Sequence, residues 1–500
     1  MDSEIERLSF VDQLLFKVGE SGLPALNMQG AMILDPAKGV CLVDGLAIAE
    51  HIAARLSGFP VLRKRLIQDA FHVGDIKMVD DPDFNVWDHI TFSTLPSPGN
   101  DLALARRLGR FSSEPLDSKR PLWRFEIIEG LEGGKIAIVQ KISHAIMDGK
   151  AAMKIMQTLF DLEPKKLDTL GVTQWSSPPL PSRVAMLTEA ASEVMSRLSN
   201  KAPKAIYQLS KYALNTGCGY LVKKIYSENV SVRSVGKKKY VGRTSLNSEI
   251  SNDRRNVTFI SFDLARLKAL SKYYQCTMND LCLIIATESM LNYFAEINEN
   301  ISFDLQLCMP VSTRSASSRE HGNELRLATI NAHNTTADLI ERIGRVKADT
   351  VAIKTPKSPS ALSAIDRENL VSSLFPLFID MACAGLNVTR PWKHFPVLFN
   401  AVVTNIPGPL QPIYFCGMPV ECQLPIIPMF HTGALAIGAT SMGGHLTLGY
   451  HSCGRVVREE NMNYFPAGAE AAVKFLEEAM LRGKSVPKIA GEVTRKNTKT

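Results

Sequence analysis

Strand-like and helix-like patterns follow one another through both halves of the 500-residue chain. Residues 135–143 alternate with the period of two that is typical of a strand, and 149–163 place apolar residues at helical spacing. In the second half, a strand precedes a helix from Leu264, a turn over Cys276–Met278 and a second helix from Asn279. A chain of this length exceeds what one hydrophobic core usually holds. The pattern therefore predicts an α/β protein of two domains with mixed sheets, and argues against a helical bundle or an all-β sandwich.

The positive charge of the chain is concentrated in one segment. The net charge is +7 overall, whereas residues 201–240 carry nine Lys or Arg against one Glu, a balance of +8. Apolar residues such as Ile206 and Leu221 lie among these basic residues. Two interpretations stay open: a solvated linker helix, or an amphipathic surface that rests on anionic lipid. No nucleic-acid-binding motif accompanies the charge, so nucleic acid is not an expected partner.

The cysteines and the first residues of the chain indicate a reducing compartment. The nine cysteines are an odd number, form no Cys-x-x-Cys pair and lie mostly in apolar runs, which argues against disulfides and zinc. The opening MDSEIERLSF lacks the apolar core of a secretory signal. The uncharged stretch 422–454 is broken by Pro425 and Pro428, so we expect no membrane-spanning helix there. We expect a cytoplasmic protein.

The stretch SHAIMDG, residues 143–149, places a histidine in a strand-to-helix connection, where open α/β sheets often build sites. An imidazole can accept a proton from a bound hydroxyl and return it to a leaving group. Asp148 could brace the loop of His144 by pairing with an arginine, and Gly149 allows a tight turn into the helix. No serine elbow, P-loop or His-Glu-x-x-His motif is present. The motif alone leaves open a catalytic base and a strand-end histidine.

Several blocks of the sequence resemble the bacterial wax ester synthase/diacylglycerol acyltransferase family. SHAIMDG is similar to the family's His-His-x-x-x-Asp-Gly motif, and RPLWRFEIIEGLEGG to its Pro-Leu-Trp block. Further blocks follow in the family's order: LSFVDQLLF, MQGAMILDP, TMNDL, MPVSTR, HGNEL and TNIPGP. Because these blocks extend over most of the chain, they are together far more specific than the short motif.

The resemblance implies two chloramphenicol-acetyltransferase-like domains with an active-site tunnel between them. By the same resemblance, His144 is the general base and Asp148 is a structural acid that pairs with Arg314. Asn279 and Asp280 match the family's Asn-Asp pair, and Asn279 either supports the site or serves as a helix N-cap.

One position departs from the family's pattern. The family's first histidine is Ser143 here. Since the second histidine carries the chemistry in the resemblance, this difference bears on substrate preference more than on mechanism. Four other histidines lack an Asp-Gly pair at the same spacing, and we interpret them as core or surface residues: His89, His333, His431 and His451.

The activity implied by the resemblance is transfer of a fatty acyl chain from acyl-CoA to a long-chain alcohol or to diacylglycerol, which gives a wax ester or triacylglycerol. Acyl-CoA is a co-substrate, and no metal, other cofactor or covalent acyl-enzyme is expected. The alternatives are a same-fold acyltransferase or condensation enzyme with another acceptor, and a non-catalytic lipid-binding protein of storage granules. We expect peripheral contact with an anionic membrane or a lipid-droplet surface.

The same reasoning divides the chain into four parts. Residues 1–185 form an N-terminal acyltransferase domain with the SHAIMDG motif, and 186–245 form a basic amphipathic connector. Residues 246–485 form a C-terminal acyltransferase domain, and 486–500 are a polar, basic tail that we expect to be disordered.

Overall fold

Helices and strands alternate along the described part of the chain, as the sequence pattern predicts. The computed structural model describes residues 5–40, 43–147, 149–165, 179–196, 233–234, 241–312, 325–354, 376–390, 393, 397–409 and 411–487. The helices are α1 (Phe10–Glu20), α2 (Gly45–Leu56), α3 (Asp101–Ser113), α4 (Gly149–Leu159), α5 (Arg183–Ser196), α6 (Leu264–Tyr273), α7 (Met278–Glu296), α8 (Leu339–Lys354), α9 (Pro376–Thr389) and α10 (Tyr464–Leu481). The strands are β1 (Glu6–Arg7), β2 (Asn27–Leu34), β3 (Lys64–Ile67), β4 (Lys77–Asp80), β5 (Ile90–Thr94), β6 (Trp123–Glu129), β7 (Ile136–Ser143), β8 (Arg233–Ser234), β9 (Arg255–Asp263), β10 (Gln306–Ser312), β11 (Leu325–Asn331), β12 (Ala401–Ile406), β13 (Tyr414–Phe415), β14 (Met418–Ile426), β15 (Leu435–Met442) and β16 (His445–Cys453).

In the described part of the chain, the first large sheet has six strands in the order β13-β14-β2-β7-β6-β5. β5 and β6 run parallel, and the other neighbours run antiparallel. Ile136, Ile138 and Ile142 of β7 pack into a core shared with α2 and α4, while Ala137 and Val139 face a second core shared with α3. Both faces of β7 are therefore covered, and the strand that leads to His144 lies in the interior.

Two strands of this sheet come from the C-terminal half of the chain. β14 pairs antiparallel with β2, from Val420 opposite Leu34 to Ile426 opposite Gln29, and β13 pairs with β14. β2 consequently has a hydrogen-bonded strand on each side, β7 and β14. The six-stranded sheet is complete only when both halves of the chain are present.

The second large sheet has seven strands within the described residues, in the order β8-β11-β10-β12-β15-β16-β9. β10, β12 and β15 run parallel, and antiparallel pairs flank them, so both large sheets are mixed as predicted. Helices α6, α7, α8 and α10 share its main core. Inside that core the Phe465 ring stacks on Tyr293 at 4.6 Å and on Tyr450 at 5.4 Å between ring centroids.

A small sheet of β1, β4 and β3 lies beside the N-terminal domain core in the described part of the structure. The buried Lys77 of β4 pairs with Glu189 of α5, with Nζ 2.6 Å from Oε2. This ion pair attaches α5, which begins the predicted connector, to the N-terminal part of the protein.

The four predicted parts of the chain stay a prediction. Of the connector, residues 197–232 and 235–240 lie outside the described residues, and so do residues 488–500 of the tail.

Candidate active site

β7 ends in a tight turn that carries His144. Ser143 is the last residue of the strand, and its carbonyl oxygen accepts a hydrogen bond from the N–H of Ile146 at 3.3 Å. The Ser143 hydroxyl accepts from the N–H of Ala145 at 3.2 Å, the local bond for which serine is favoured in turns. α4 then begins at Gly149. The predicted strand-to-helix connection around His144 is therefore confirmed.

The backbone of this turn is held from two sides. The N–H of Ser143 donates to the carbonyl oxygen of Leu122 at 3.0 Å, and the N–H of His144 donates to that of Leu26 at 3.1 Å. The side chains of residues 145–147 are buried, whereas His144 is half-buried. The turn is thus anchored by hydrogen bonds and apolar packing, and His144 keeps part of its surface exposed, as a group that meets a substrate requires.

The ion pair predicted to brace the loop of His144 lies outside the described residues. Asp148 and Arg314 both lie there, so their ion pair remains a prediction. Gly149 is described as the first residue of α4.

The N-cap interpretation of Asn279 is wrong. α7 begins at Met278, and its N-cap is Thr277, whose hydroxyl accepts from the N–H of Asp280 at 3.2 Å. The cap lies two residues earlier because a threonine followed three residues later by an acidic residue forms a reciprocal capping box. Asn279 is the second residue of the helix, and its Nδ2 lies 3.4 Å from Sδ of Met309 on β10. This contact joins the TMNDL block to the MPVSTR block.

Asp280 braces the start of α7. Its side chain is 1% exposed. One carboxylate oxygen accepts from the N–H of Thr277 at 2.9 Å, and the other accepts from the hydroxyl of Thr350 on α8 at 2.7 Å. Since both oxygens are engaged in structural bonds, Asp280 fixes the helix end on which Asn279 sits.

The predicted residues thus fall into two groups on different sheets. Ser143 and His144 lie at the end of β7 in the six-stranded sheet, and Gly149 begins the helix α4 that follows. Asn279 and Asp280 share the first turn of α7, which packs on the seven-stranded sheet.

Two further histidines are packing groups, as the sequence indicates. Nδ1 of His89 lies 2.9 Å from the carbonyl oxygen of Trp123, and its ring stacks on that indole at 4.4 Å. Nδ1 of the buried His451 donates to the Ile427 carbonyl at 2.7 Å, so Nε2 accepts from the Ser112 hydroxyl at 2.9 Å. Burial lowers the pKa of His89, and it lowers the pKa of His451 to about 3. Neither ring is suited to general-base catalysis at neutral pH.

Burial suppresses the reactivity of four cysteine thiols. Burial raises the pKa of Cys276 to about 11 and the pKa of Cys282, Cys308 and Cys422 to about 12. A thiol that remains protonated is a poor nucleophile. These four cysteines are therefore packing residues. Within the described residues, no cluster of three or more His, Cys, Asp or Glu side chains is arranged to hold a metal ion.

Sequence reasoning missed one buried cation close to the turn. Lys141 of β7 is 1% exposed, and its Nζ lies 2.6 Å from the carbonyl oxygen of Glu114 and 3.4 Å from that of Ser112. Burial, together with the neighbouring charge of Arg124, lowers the pKa of Lys141 to about 7. The available signal was a lysine within a mostly apolar strand, but the sequence does not show its partners.

Comparison with known protein families decides the assignment of the chain. The family model of the wax ester synthase/diacylglycerol acyltransferase catalytic domain matches residues 8–282, and the model of the family's C-terminal domain matches residues 321–463. The chain belongs to this family. It is therefore an acyltransferase, as the resemblance implied. The turn with His144 lies in the part that matches the catalytic domain, and β14 lies in the part that matches the C-terminal domain.

Individual members of the wax ester synthase/diacylglycerol acyltransferase family align along most of the chain. A putative diacylglycerol O-acyltransferase of Mycobacterium tuberculosis H37Rv is 28% identical over 416 residues, which is 77% of this chain and 80% of the relative. A probable diacylglycerol O-acyltransferase of the same organism is 25% identical over 478 residues, 93% of this chain and 98% of the relative.

Solved structures share the fold. The wax ester synthase/diacylglycerol acyltransferase from Marinobacter aquaeolei VT8 superposes with a TM-score of 0.62 at 20% identity, over 94% of this chain and 99% of that chain. A mutant starter condensation domain of rhizomide synthetase, in complex with C8-CoA and Leu-SNAC, gives a TM-score of 0.50 at 13% identity over 95% and 94% of the two chains. These likenesses confirm the predicted two-domain acyltransferase fold. No helix in the described part of the chain is long and apolar enough to cross a membrane.

Proposed function

We propose that this acyltransferase moves a fatty acyl group from acyl-CoA to the hydroxyl of a long-chain alcohol or of diacylglycerol, with His144 as the general base. The observation that carries the proposal is the turn at the end of β7. There the backbone of His144 is anchored to Leu26 while the residue stays partly exposed, within the segment that matches the family's catalytic domain. The names of the relatives, diacylglycerol O-acyltransferase and wax ester synthase, support these two acceptors.

In the proposed reaction, His144 accepts the proton of the acceptor hydroxyl while the oxygen attacks the thioester carbonyl carbon. The new C–O bond forms, the C–S bond breaks, and the imidazolium returns the proton to the departing CoA sulfur. The products are an ester and free CoA, so the histidine ends in its starting state. General-base catalysis of this kind contributes about 10²–10⁴-fold. The proposal requires acyl-CoA as co-substrate and no other cofactor.

In this proposal, the other predicted site residues support the role of His144. Asp148 holds the loop, with Arg314 as its partner. Asn279 supports the acceptor side from the first turn of α7, where its amide contacts Met309. Ser143 replaces a histidine of the family motif, and its hydroxyl already bonds within the turn. We therefore assign Ser143 to turn geometry and to acceptor preference.

Product analysis tests the proposed function. Purified protein is incubated with labelled palmitoyl-CoA and, separately, with hexadecanol, dipalmitoylglycerol and hexadecylamine, and the products are identified by mass spectrometry. We expect wax ester or triacylglycerol together with stoichiometric CoA thiol. Amide formation alone would instead indicate a condensation-type acceptor, and acyl-CoA binding without any product would indicate a lipid-binding protein.

We also propose that residues 201–240 hold the enzyme at an anionic membrane or lipid-droplet surface on the cytoplasmic side. The support is the balance of +8 in this segment, since each basic residue near such a surface contributes about 1 kcal/mol at low salt. Most cysteines of the described residues are buried and none of these cysteines forms a disulfide, which suits a reducing compartment. Replacing Lys223, Lys224 and Lys237–Lys239 by Gln should reduce co-sedimentation with phosphatidylglycerol vesicles. Equal sedimentation of both forms at low salt would refute this part of the proposal.

A further inference from the structure

The last turn of α3 lies between the two large sheets. Four consecutive residues, 111–114, each contact a strand, and the strands belong to both sheets. On the N-terminal side their partners are Lys141 of β7 and Arg124 of β6. On the C-terminal side the partners are His451 of β16 and Arg255 of β9.

The side chain of Lys141 donates hydrogen bonds to the carbonyl oxygens at the end of α3. The protonated lysine has three N–H donors, and the neutral amine, which predominates above about pH 7, keeps two. Three carbonyl oxygens meet its Nζ: that of Phe111 in a short contact, that of Glu114 at 2.6 Å and that of Ser112 at 3.4 Å. The Phe111 ring centroid also lies 4.7 Å from Nζ. The last carbonyl groups of a helix lack partners within the helix, so the lysine satisfies acceptors that burial would otherwise leave unpaired.

The same turn is bonded to the C-terminal sheet. The Ser112 hydroxyl donates to Nε2 of His451 at 2.9 Å, and the Ser113 hydroxyl accepts from the N–H of Arg255 at 2.9 Å. Gly109, one turn earlier, lies so close to the carbonyl oxygen of Arg255 that an added Cβ would stand 2.6 Å from it. The backbones of α3 and β9 are therefore in contact at Gly109 and Arg255.

Lys141 lies on β7, three residues before His144, which is the first residue after the strand. We propose that Lys141 is a positioning residue for acyl transfer, which ties the His144 end of β7 to the turn of α3 that the C-terminal strands hold. Through this tie, the base on one sheet keeps a fixed position relative to the groups on the other, Asn279 included. The inference rests on the proposed function of His144, and it extends that function to a residue with no contact to the reacting groups.

Positioning of this kind acts on turnover more than on affinity. A displacement of a catalytic group by about 1 Å can cost about a hundredfold in rate. Acyl-CoA affinity depends instead on many contacts along a long substrate. Loss of the tie should therefore lower kcat while KM for acyl-CoA changes little.

The test compares three variants of the full chain. Lys141→Met keeps an unbranched side chain that is one atom shorter and removes its donors, whereas Lys141→Arg keeps a cation with several donors. Lys77→Met is the matched control, because it also removes a buried lysine, from an ion pair with Glu189 in the small sheet. We expect Lys141→Met to lower kcat about ten- to hundredfold with KM for palmitoyl-CoA within about threefold. Lys141→Arg should recover most of kcat, and Lys77→Met should keep it.

Hydrogen–deuterium exchange supplies a readout that does not depend on turnover. In Lys141→Met, the peptides that contain residues 109–116 and 141–147 should exchange faster than in wild type and in Lys77→Met. If Lys141→Met retains the wild-type kcat, or if these peptides exchange as in wild type, the inference is overturned. If wild type forms no ester while exchange responds as expected, the proposed function fails and the structural tie stands.

Discussion

At the scale of single residues, His144 and Ser143 lie in one turn but make different hydrogen bonds. The Ser143 hydroxyl is engaged with the backbone N–H of Ala145. The N–H of His144 donates to the carbonyl oxygen of Leu26, and the base role that we propose belongs to its ring. The two side chains can therefore be removed separately, which makes the proposed base testable within its own turn.

We predict that His144→Ala lowers CoA release with hexadecanol or dipalmitoylglycerol by about 10²–10⁴-fold. Its backbone bond to Leu26 does not need the ring, so acyl-CoA binding and the melting temperature should stay near wild type. Ser143→Ala is the control: it loses one hydrogen bond of about 1 kcal/mol and should keep turnover within a few-fold. The measurements are thiol release, acyl-CoA binding and thermal melting. Turnover of His144→Ala close to wild type would show that the histidine is not the base.

Lys141 gives a second prediction at this scale, on stability against pH. Burial is the largest cause that lowers the pKa of Lys141 to about 7, below the ordinary 10.5 of an unfolded lysine. The charges of Arg124 and Arg255 also lower this pKa, and those of Glu114 and Glu126 raise it. Between these values the unfolded chain binds more protons, so the free energy of unfolding should rise with pH by up to about 1.4 kcal/mol per pH unit.

Urea denaturation of wild type and Lys141→Met checks this sign. The difference in unfolding free energy, wild type minus variant, should increase from about pH 7 to about pH 9 because only wild type carries the titrating group. A difference that is independent of pH would mean that Lys141 keeps its proton in the folded protein throughout this range.

At the scale of elements, the start of α7 holds a structural residue, Asp280, next to Asn279, for which we propose a supporting part in the site. Thr277 and Asp280 form the capping box, and Asp280 also bonds Thr350 of α8. Asn279 has no part in the cap, and its amide contacts Met309 of β10 instead. A T-x-x-D pattern is visible in the sequence. The N-cap interpretation of Asn279 was therefore wrong because a local sequence signal was overlooked, and not because the tertiary structure overrode it.

We predict opposite outcomes for two alanine variants in this turn. Thr277→Ala removes the cap and should cost about 1 kcal/mol of unfolding free energy with little change in kcat. Asn279→Ala should leave stability near wild type and lower kcat, since Asn279 supports the acceptor side in the proposed function. Urea denaturation and steady-state kinetics distinguish them. An Asn279→Ala variant with normal kcat would remove Asn279 from the site.

At the scale of the whole molecule, the two halves of the chain are not independent. The six-stranded sheet receives β13 and β14 from the C-terminal half, and α3 is bonded to β9 and β16. Without β14, the edge of β2 would be open and Leu424 and Ile426 would be missing from the core around α3. An unpaired strand edge next to exposed apolar surface favours aggregation.

We predict that residues 1–196 expressed alone are insoluble, and that co-expression with residues 241–500 yields a soluble complex of the two pieces. The break removes part of the connector together with the two-residue edge strand β8, and it leaves the other strands of both large sheets in place once the pieces associate. Size-exclusion chromatography of the co-expressed pieces measures the complex. A soluble, monomeric N-terminal piece would contradict the requirement for β14.

The sequence by itself determined the features that depend on neighbouring residues. The period of two in β7, the turn at His144 and the start of α6 at Leu264 follow from residues a few positions apart, and the structure has them as predicted. The family blocks added the activity, because motif order is a property of the chain alone. Only the tertiary structure decided that β14 pairs with β2 and that Lys141 meets the carbonyl oxygens of α3. Hydrogen-bond donors and strand edges are alike along any chain, so their partners are chosen by how the sheets pack and not by local pattern.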